Sequence, residues 1–552
     1  MDTQRLVIAI VLCLGLLFGY QMFMTPTAEQ APQQAPQPAA QQPATQQPAD
    51  QAASPQTPAA TAPAQTAQVI EPAVEAKNIT VNTPLYTAVF TDKGGALRSF
   101  RLKQFSETSD GPLGYPFLEA TSLEPSSLSL NLINFDSKLE EKIFSASASQ
   151  LVVDAQTQEA TLSFSCEYSG VTVTRIYTFH ADSYAIDHKI IVDNQSSKNL
   201  EMTPELTLTI NKDKGIAHVY SLTGVATYLN HSYSEVDITD IEGNKRKADT
   251  GTIDFMSLNV PYFLSVIAPD YKLDAKRSLR CGTLDSIMYA TLVEPPLIID
   301  AGASAEANFL YYCGPQDIDV LTPLGHELKS AVNFGWFDII AKPMLYALKF
   351  CYQYIENYGV GIILVTLLVK ILFWPLTRAS YKSMKNMQKL QPLVAKIREK
   401  HAGDKQAINQ ETMKLYKSNK INPMGGCFPI LIQIPVFFAF YKVLGTAIEL
   451  RHAPFMLWIN DLSAPDRLPI GIDIPFVGPG IPVLTLLMGA SMFFQQKMAP
   501  MTGDPMQRKL MMFMPIIFTV MFINFPSGLV LYWFFNNILA ILQQYLVNRS
   551  KK

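Results

Sequence analysis

One lysine inside a long apolar segment is the residue best placed to do chemistry. Lys370 lies in GVGIILVTLLVKILFWPL, eight residues before Arg378, or about 12 Å along a helix. A charge within a bilayer costs at least ~2.5 kcal/mol unless it is paired or hydrated, and no Asp or Glu occurs in the apolar segments of the C-terminal half. We predict that Lys370 faces a water-containing cavity and attracts an acidic part of a ligand. Snorkelling of the side chain to the membrane surface is the alternative.

Further polar side chains occur in the same apolar segments. Thr366 precedes Lys370 by four residues, so a helix places both on one face. The others are Gln433, Gln495, Asn524, Tyr532, Asn536 and Asn537. Each alone commonly forms a hydrogen bond between helices. Together with an unpaired lysine, they favour a hydrated groove over a solid helix bundle.

The motifs of hydrolytic, nucleotide-driven or metal-dependent enzymes are missing from the sequence. It has no phosphate-binding glycine motif, no His-Glu-x-x-His, no Gly-x-Ser-x-Gly and no paired-cysteine metal site. We therefore predict a protein that is not an enzyme and that has no cofactor or metal. If the middle of the chain is extracytoplasmic, Cys166, Cys281 and Cys313 could form one disulfide and leave one thiol, with the pairing open.

The composition indicates a membrane protein with several domains. Of 552 residues, 48% are apolar and 16% are charged, whereas soluble domains carry about 25% charged residues. The formal net charge of −3 argues against a nucleic-acid-binding protein, and we expect no specific nucleic-acid sequence as a partner.

The sequence of the N-terminal part, residues 1–68, indicates a membrane anchor followed by a linker. Residues 6–24 are a run of nineteen uncharged, mainly apolar residues, long enough to span a bilayer. A cleaved signal peptide is the alternative, but its apolar region is shorter. We predict a transmembrane anchor at residues 1–24. Residues 25–68 are mostly Pro, Gln, Ala and Thr, which predicts a disordered linker.

The next region, residues 69–333, alternates apolar and polar residues as half-buried strands do. The clearest examples are SLSLNLINF, ATLSFSCEYS, VTVTRIYTF, YAIDHKIIVDN and LTLTINK. Many such strands predict a large β-sandwich domain.

The C-terminal half changes to helical periodicity. Residues 334–357 predict an amphipathic helix at the membrane interface, or alternatively a soluble helix packed on the sandwich. Residues 358–548 then contain five apolar segments, which we interpret as a five-span membrane core. These are Gly359–Leu376, Phe428–Leu444, Ile481–Phe494, Met511–Phe525 and Leu529–Leu546.

Charge sets the predicted orientation. Residues 378–422 contain eleven Lys and Arg but only three acidic residues, so they are predicted to be cytoplasmic. Alternation then gives six spans, with both termini in the cytoplasm, a basic tail at 549–552 and the β domain outside. Helical spacing within 378–422 predicts a helical hairpin broken near residues 401–404. It would dock ribosomes or incoming chains, or act only as a topology signal that contacts lipid headgroups.

Four stretches of the C-terminal half resemble the YidC-type membrane protein insertases, which are related to the mitochondrial Oxa and chloroplast Alb insertases. The resemblance covers about residues 334–548, and the anchor, linker and large exported domain fit the Gram-negative form. The stretches are NYGVGIILVTLLVKILFWPLTRASYKSMKNMQKLQP, NPMGGCFPILIQIPVFFAFYKVL, APFMLWINDLS and FPSGLVLYWFFNN.

The resemblance implies the architecture and the site. It implies an inner-membrane location, a periplasmic β-supersandwich similar in fold to sugar mutarotases, and a positively charged groove open to cytoplasm and lipid. Lys370 matches the groove's basic residue, which is usually arginine, and Thr366 matches its threonine. Tyr532 matches the first residue of an aromatic pair, while Trp533 replaces the more common second tyrosine. With Gln433, these residues are the expected substrate groove.

The expected function is insertion of hydrophobic segments of nascent membrane proteins into the bilayer, alone or with the Sec translocon. The ribosome would bind through the basic hairpin and tail. One alternative is an anion transporter or channel that uses Lys370, although transporters usually contain paired repeats with interrupted helices. A sugar-binding exported domain is another, but it would leave the membrane half unexplained.

Overall fold

The structure, a computed structural model, describes residues 76–119, 126–135, 138–212, 222–242, 249–270, 275–419, 428–475, 477–498 and 505–549. The predicted anchor at 1–24, the linker at 25–68 and the last three residues of the basic tail lie outside these ranges.

Residues 78–315 form the β domain that the alternating sequence predicts. Its strands are β1 (Asn78–Asn82), β2 (Tyr86–Thr91), β3 (Leu97–Ser106), β4 (Leu113–Leu118), β5 (Ser129–Ile133), β6 (Ser145–Ala146), β7 (Gln150–Val152), β8 (Glu159–Tyr168), β9 (Val171–His180), β10 (Ala185–Asn194), β11 (Leu200–Asn211), β12 (Gly224–Leu229), β13 (Ser232–Asp237), β14 (Asp249–Val260), β15 (Phe263–Pro269), β16 (Lys276–Leu284), β17 (Ile287–Val293), β18 (Leu297–Ile299) and β19 (Ser304–Pro315). A short helix, α1 (Ile238–Glu242), follows β13.

These strands form two sheets that share one core. The smaller sheet has the order β4-β3-β2-β1-β7, and the larger follows β18-β11-β17-β16-β14-β15-β19-β10-β9-β8-β6, with β5, β12 and β13 off this path. Every second residue of β9 is buried, as the two-residue period of a strand requires. Phe90 of the small sheet packs on Tyr177 of the large sheet, with 4.8 Å between ring centroids. The apolar faces therefore meet as in a sandwich.

One inward position of β9 carries a charge. Arg175 is fully buried, and its guanidinium donates hydrogen bonds to the carbonyl oxygens of Gly94 at 2.6 Å and Leu128 at 2.7 Å. Burial lowers the pKa of Arg175. In the same core, burial raises the pKa of the Cys313 thiol. Cys166, Cys281 and Cys313 are all free thiols, so none of the possible disulfides among them is formed in the structure. The sandwich core thus contains polar groups that connect its loops.

The C-terminal half is helical. After the short α2 (Ile318–Leu321), its helices are α3 (Asp338–Ile355), α4 (Tyr358–Leu372), α5 (Trp374–Lys389), α6 (Gln391–Lys400), α7 (Lys405–Ser418), α8 (Phe428–Thr446), α9 (Val483–Met498), α10 (Pro505–Phe522) and α11 (Ser527–Arg549). A hairpin of two strands, β20 (Leu468–Ile474) and β21 (Gly478–Ile481), separates α8 from α9.

The number of membrane spans stays a prediction. Within the described residues, Ser527–Val547 is the single helical segment long and apolar enough to cross a membrane unbroken. The bent pair α4 and α5 is a second candidate, while Leu431–Thr446 and Met511–Phe522 are shorter apolar helices. At 1.5 Å per residue, the 16 residues of α9 extend about 24 Å, less than the ~30 Å of a typical hydrocarbon core.

The first core helix is shorter than its apolar sequence suggests. The apolar segment runs to Leu376, but α4 ends at Leu372 and α5 begins at Trp374, with a bend of 65° between the two helices. Pro375 explains the break, because it lacks an N–H and its ring clashes with the carbonyl group four residues earlier. Lys370 therefore lies in the last turn of α4. The prediction that Lys370 and Arg378 lie about 12 Å apart along one straight helix is wrong, because the bend lies between them.

The basic segment folds as a helical hairpin. Its helices α6 and α7 contact each other and are separated by residues 401–404. The Asp404 carboxylate starts α7 by accepting hydrogen bonds from the backbone N–H groups of Gln406 at 3.0 Å and Ala407 at 2.9 Å. Met387 and Val394 are buried within this arm.

Candidate functional site

The two expected groove residues of α4 lie one helical turn apart. Thr366 is buried, and its hydroxyl donates a 2.6 Å hydrogen bond to the carbonyl oxygen of Ile362. Lys370 is half-buried. Among the described residues, no carboxylate forms an ion pair with the Lys370 ammonium. A half-buried cation without such a partner is suited to attract an anionic group.

The neighbouring helices bring two other expected residues into contact. Tyr532 of α11 is fully buried, and the Gln433 side-chain amide of α8 donates a hydrogen bond to its hydroxyl. The Tyr532 ring stacks on Phe440, with centroids 4.5 Å apart. Because α11 also packs on α4, Tyr532 lies on a helix next to the one that carries Thr366. Tyr532 is enclosed between helices and positions α8 against α11.

Trp533 has a different environment from Tyr532. Its half-buried indole packs on Phe437 of α8, with centroids 4.9 Å apart, and on Phe522 of α10 at 5.4 Å. Adjacent residues of a helix point about 100° apart. The aromatic pair therefore does not present one continuous surface.

The structure also shows polar contacts that the sequence analysis missed. The Gln543 amide donates a hydrogen bond to the Thr377 hydroxyl, which connects α11 to α5. Asn537 was among the polar residues noted in the apolar segments, but Ser491 was not; the Asn537 amide donates a 3.0 Å hydrogen bond to the Ser491 hydroxyl. All four side chains are buried. Amide residues within an apolar helix are an available signal for such contacts.

The loop after α8 packs on the N-terminal ends of α9 and α11. We call these the outer ends, because the same loop also contacts the β domain. The buried Asp466 carboxylate accepts hydrogen bonds from the Trp458 indole at 2.7 Å and from the backbone N–H of Thr485 at 3.0 Å. The backbone N–H of Ser527 donates to the Ala464 carbonyl at 2.7 Å. These contacts hold the loop on the first turns of α9 and α11.

A cluster of charges joins the β domain to the helical half. Lys349 of α3 lies 2.8 Å from a Glu449 carboxylate oxygen, 2.6 Å from Asp319 and 3.2 Å from Asp317. Burial alone lowers the pKa of Lys349, but hydrogen bonds with Asp319 and Glu449 outweigh burial and raise it. Lys349 lies within residues 334–357, which were predicted to form an amphipathic helix at the membrane interface, but its side chain is only 18% exposed and is mostly buried in this junction.

Arg451 forms a second contact between the two halves. Its guanidinium donates a 2.6 Å hydrogen bond to the carbonyl oxygen of Ser106. It also lies over the rings of Tyr115, Tyr262 and Phe263 at 5.3 to 5.9 Å, within the distance of a cation–π interaction. The loop that covers the outer helix ends is thus docked on the β domain.

Two family matches cover nearly all of the described chain. Residues 78–347 match the family described as YidC periplasmic domain, and residues 350–552 match the 60Kd inner membrane protein family. The chain is 41% identical over 506 residues to a membrane protein insertase YidC of Syntrophobacter fumaroxidans, covering 87% of this chain and 88% of that protein. It belongs to the YidC family of membrane protein insertases.

Another relative extends this similarity to the whole chain. A membrane protein insertase YidC of Geobacter metallireducens is 38% identical over 550 residues, covering 99% of this chain and 98% of that protein. A crystal structure of an active YidC insertase with its first transmembrane domain resolved covers 87% of this chain and 94% of its own at 20% identity, with a TM-score of 0.37. YidC family membership places the protein in the inner membrane with a periplasmic domain.

The burial of Tyr532 predicts how its hydroxyl group and its aromatic ring each contribute to stability. Tyr532→Phe removes only the hydrogen bond with Gln433, so we expect a loss of about 0.6 to 1.7 kcal/mol. Tyr532→Ala also removes the ring that packs on Phe440, so we expect a loss of about 3 to 5 kcal/mol. Apparent thermal midpoints in one detergent would measure both. Tyr545→Phe is the control, because Tyr545 is exposed on the same helix. Lost insertion by Tyr532→Phe at an unchanged midpoint would contradict a positioning role.

Proposed function

We propose that this membrane protein insertase receives hydrophobic segments of nascent membrane proteins at a polar groove formed by α4, α8 and α11. The polar flank of the segment approaches Lys370 and Thr366, and its apolar part leaves between helices into lipid. Burial of the segment provides the driving force, at roughly 25 cal/mol per Å² of apolar area. The protein is not an enzyme, and no nucleotide is needed for this step.

The observation that carries the proposal is the half-buried Lys370 on a helix that packs against other helices with buried polar contacts. An aqueous environment near the lysine would lower the cost of moving a polar segment through this region. In this proposal, the loop around Asp466, which packs on the first turns of α9 and α11, limits leakage at that end of the helices. The short α9 supports local thinning of the bilayer, which would shorten the path of a polar tail.

Reconstitution of the full chain tests this function. A small single-span protein with an acidic exported tail would be added to vesicles with and without the protein, and protease protection of the tail would be measured. We expect protection only with the protein. Release of a trapped small anion without tail protection would instead favour the anion channel. A substrate that inserts unaided serves as the control that the vesicles and the protease assay are working.

We further propose a multi-pass arrangement with six spans, both termini in the cytoplasm and cooperation with the Sec translocon. The basic hairpin supports this orientation through the positive-inside rule. Cysteine-labelling reagents that do not cross membranes would test it, with labels on α7 and on β8. Labelling of both sites from the same side would contradict the arrangement.

The hairpin is the proposed ribosome-binding arm. Lys389, Lys396 and Lys400 are exposed on it. Because contacts with RNA phosphates are strongly salt-dependent, the triple change of these lysines to Glu should weaken ribosome binding at least about tenfold at low salt. Co-sedimentation of ribosomes with vesicles over a range of salt concentrations would measure the loss.

A control with the same charge change separates this contact from net charge. Lys138, Lys198 and Lys276 are exposed on the β domain, and their change to Glu should leave ribosome binding unaltered. Equal loss in both triple variants would contradict a hairpin-specific contact. If only binding to anionic lipid falls in the hairpin variant, the arm contacts headgroups rather than ribosomes.

A further inference from the structure

The hairpin of β20 and β21 has one apolar face that is exposed. Ile470 and Ile472 expose 42% and 65% of their surface. Because side chains alternate along a strand, Ile472 and Ile474 share one face, while the exposed Asp473 between them is on the other. Ile470 precedes Gly471, whose positive φ of 74° interrupts this alternation. A strongly exposed isoleucine on this face, with a second exposed isoleucine two residues earlier on the same hairpin, indicates a surface with a partner outside the chain.

The base of this hairpin is fixed at the outer ends of two core helices. Arg467, immediately before β20, donates hydrogen bonds to the Ile523 carbonyl at 2.8 Å and to the Asn524 side chain at 2.8 Å, just after α10. At the other side, α9 begins at Val483, two residues after β21 ends at Ile481. The hairpin therefore lies where α9 and α10 reach their outer ends.

Exposed apolar side chains continue from the hairpin along these helices. Leu486 of α9 is 52% exposed, and Val520 of α10 is 64% exposed. Exposed apolar residues on membrane-embedded helices face lipid. The base of the hairpin is thus close in the chain to the helix surfaces that would contact the bilayer.

We propose that the isoleucine face of the β20–β21 hairpin inserts into the outer leaflet of the membrane at the headgroup boundary. The partner is lipid rather than protein, because stable protein interfaces bury about 800 Å² per partner, far more than two or three isoleucine side chains present. The inserted hairpin holds the outer loop against the membrane beside α9. This inference rests on the proposed embedding of α9 and α10.

Site-specific fluorescence in vesicles tests the insertion. A polarity-sensitive nitrobenzoxadiazole label would be attached at Ile472→Cys, and separately at Asp473→Cys as the matched control, after replacement of the six native cysteines. Lipids with a quencher near the headgroup should quench the label at 472 several-fold more than the label at 473. Equal quenching at both positions would overturn the proposal.

A second measurement uses the chain with its cysteines intact. A photo-cross-linking amino acid at position 472 should form adducts with phospholipid, and one at position 473 should form few. Adducts between position 472 and another protein would show that the partner is a protein rather than lipid, and would refute the inference. Each labelled protein is also assayed for insertion, so retained insertion without lipid contact rejects the hairpin proposal and leaves the insertase function standing.

Discussion

Lys370→Ala should lower the insertion of a single-span protein with an acidic tail by at least about tenfold, or about 1.4 kcal/mol. The expected cause is loss of the attraction between the Lys370 ammonium and the tail carboxylates. Lys370→Arg keeps the charge and should stay within about twofold of the original rate, whereas Lys370→Glu should repel the tail. Protease protection of the tail over time would measure all three rates in vesicles of one composition.

Two controls separate the charge of the site from charge in general. Lys382→Ala removes the same charge from an exposed position on α5 and should leave the rate unchanged. A substrate whose tail acids are replaced by neutral residues should be insensitive to Lys370→Ala. If Lys370→Ala inserts the acidic tail at the original rate, Lys370 is a snorkelling residue and the charged groove is wrong.

Lys349→Met should destabilise the junction between the β domain and the helices by about 3 kcal/mol, because it leaves buried carboxylates without their cation. Glu449 has only 9% of its side chain exposed, and Asp317 has 22%. We expect the apparent thermal midpoint to fall by about 5 °C or more. Protease cleavage between α2 and α3 should become faster at temperatures below that midpoint.

Lys342→Met is the matched control for this change. Lys342 lies on the same helix and pairs with Asp338 at 2.8 Å, but both side chains are about one-third exposed. Surface pairs of this kind contribute about 0 to 1 kcal/mol, so the midpoint should hardly move. Equal shifts for the two variants would show that Lys349 is not the cation that holds the junction. Lys349→Arg should recover part of the lost stability.

The β domain was predictable because its periodicity is local. Strands β8, β9 and β10 alternate buried and less buried residues over most of their length, so the sequence alone indicates their faces. The charge inside this core was not predictable in the same way. Arg175 occupies an inward position, but its partners, the carbonyl groups of Gly94 and Leu128, are distant in the sequence.

The helical segments were likewise recognisable, but the contacts between them were not. Lys370 and Thr366 were placed on one face by spacing alone, and the structure keeps them there. The partners of Gln433, Asn537 and Lys349 depend on which helices pack together, which periodicity does not determine. The bend after α4 was missed because a continuous apolar run concealed the effect of Pro375. The roles of Lys370, Thr366 and Gln433 in insertion are predictions.

The bend between α4 and α5 has a mechanical consequence. Lys370 lies before the bend, while the basic arm extends from the helix after it. In a straight, continuous helix, a force applied to the arm would be transmitted along the helix axis to Lys370. The bend of 65° at Phe373 turns the axis of the basic arm away from the axis of α4. A force along the arm, such as one from the proposed ribosome contact, would therefore not be directed along the axis of the helix that carries Lys370.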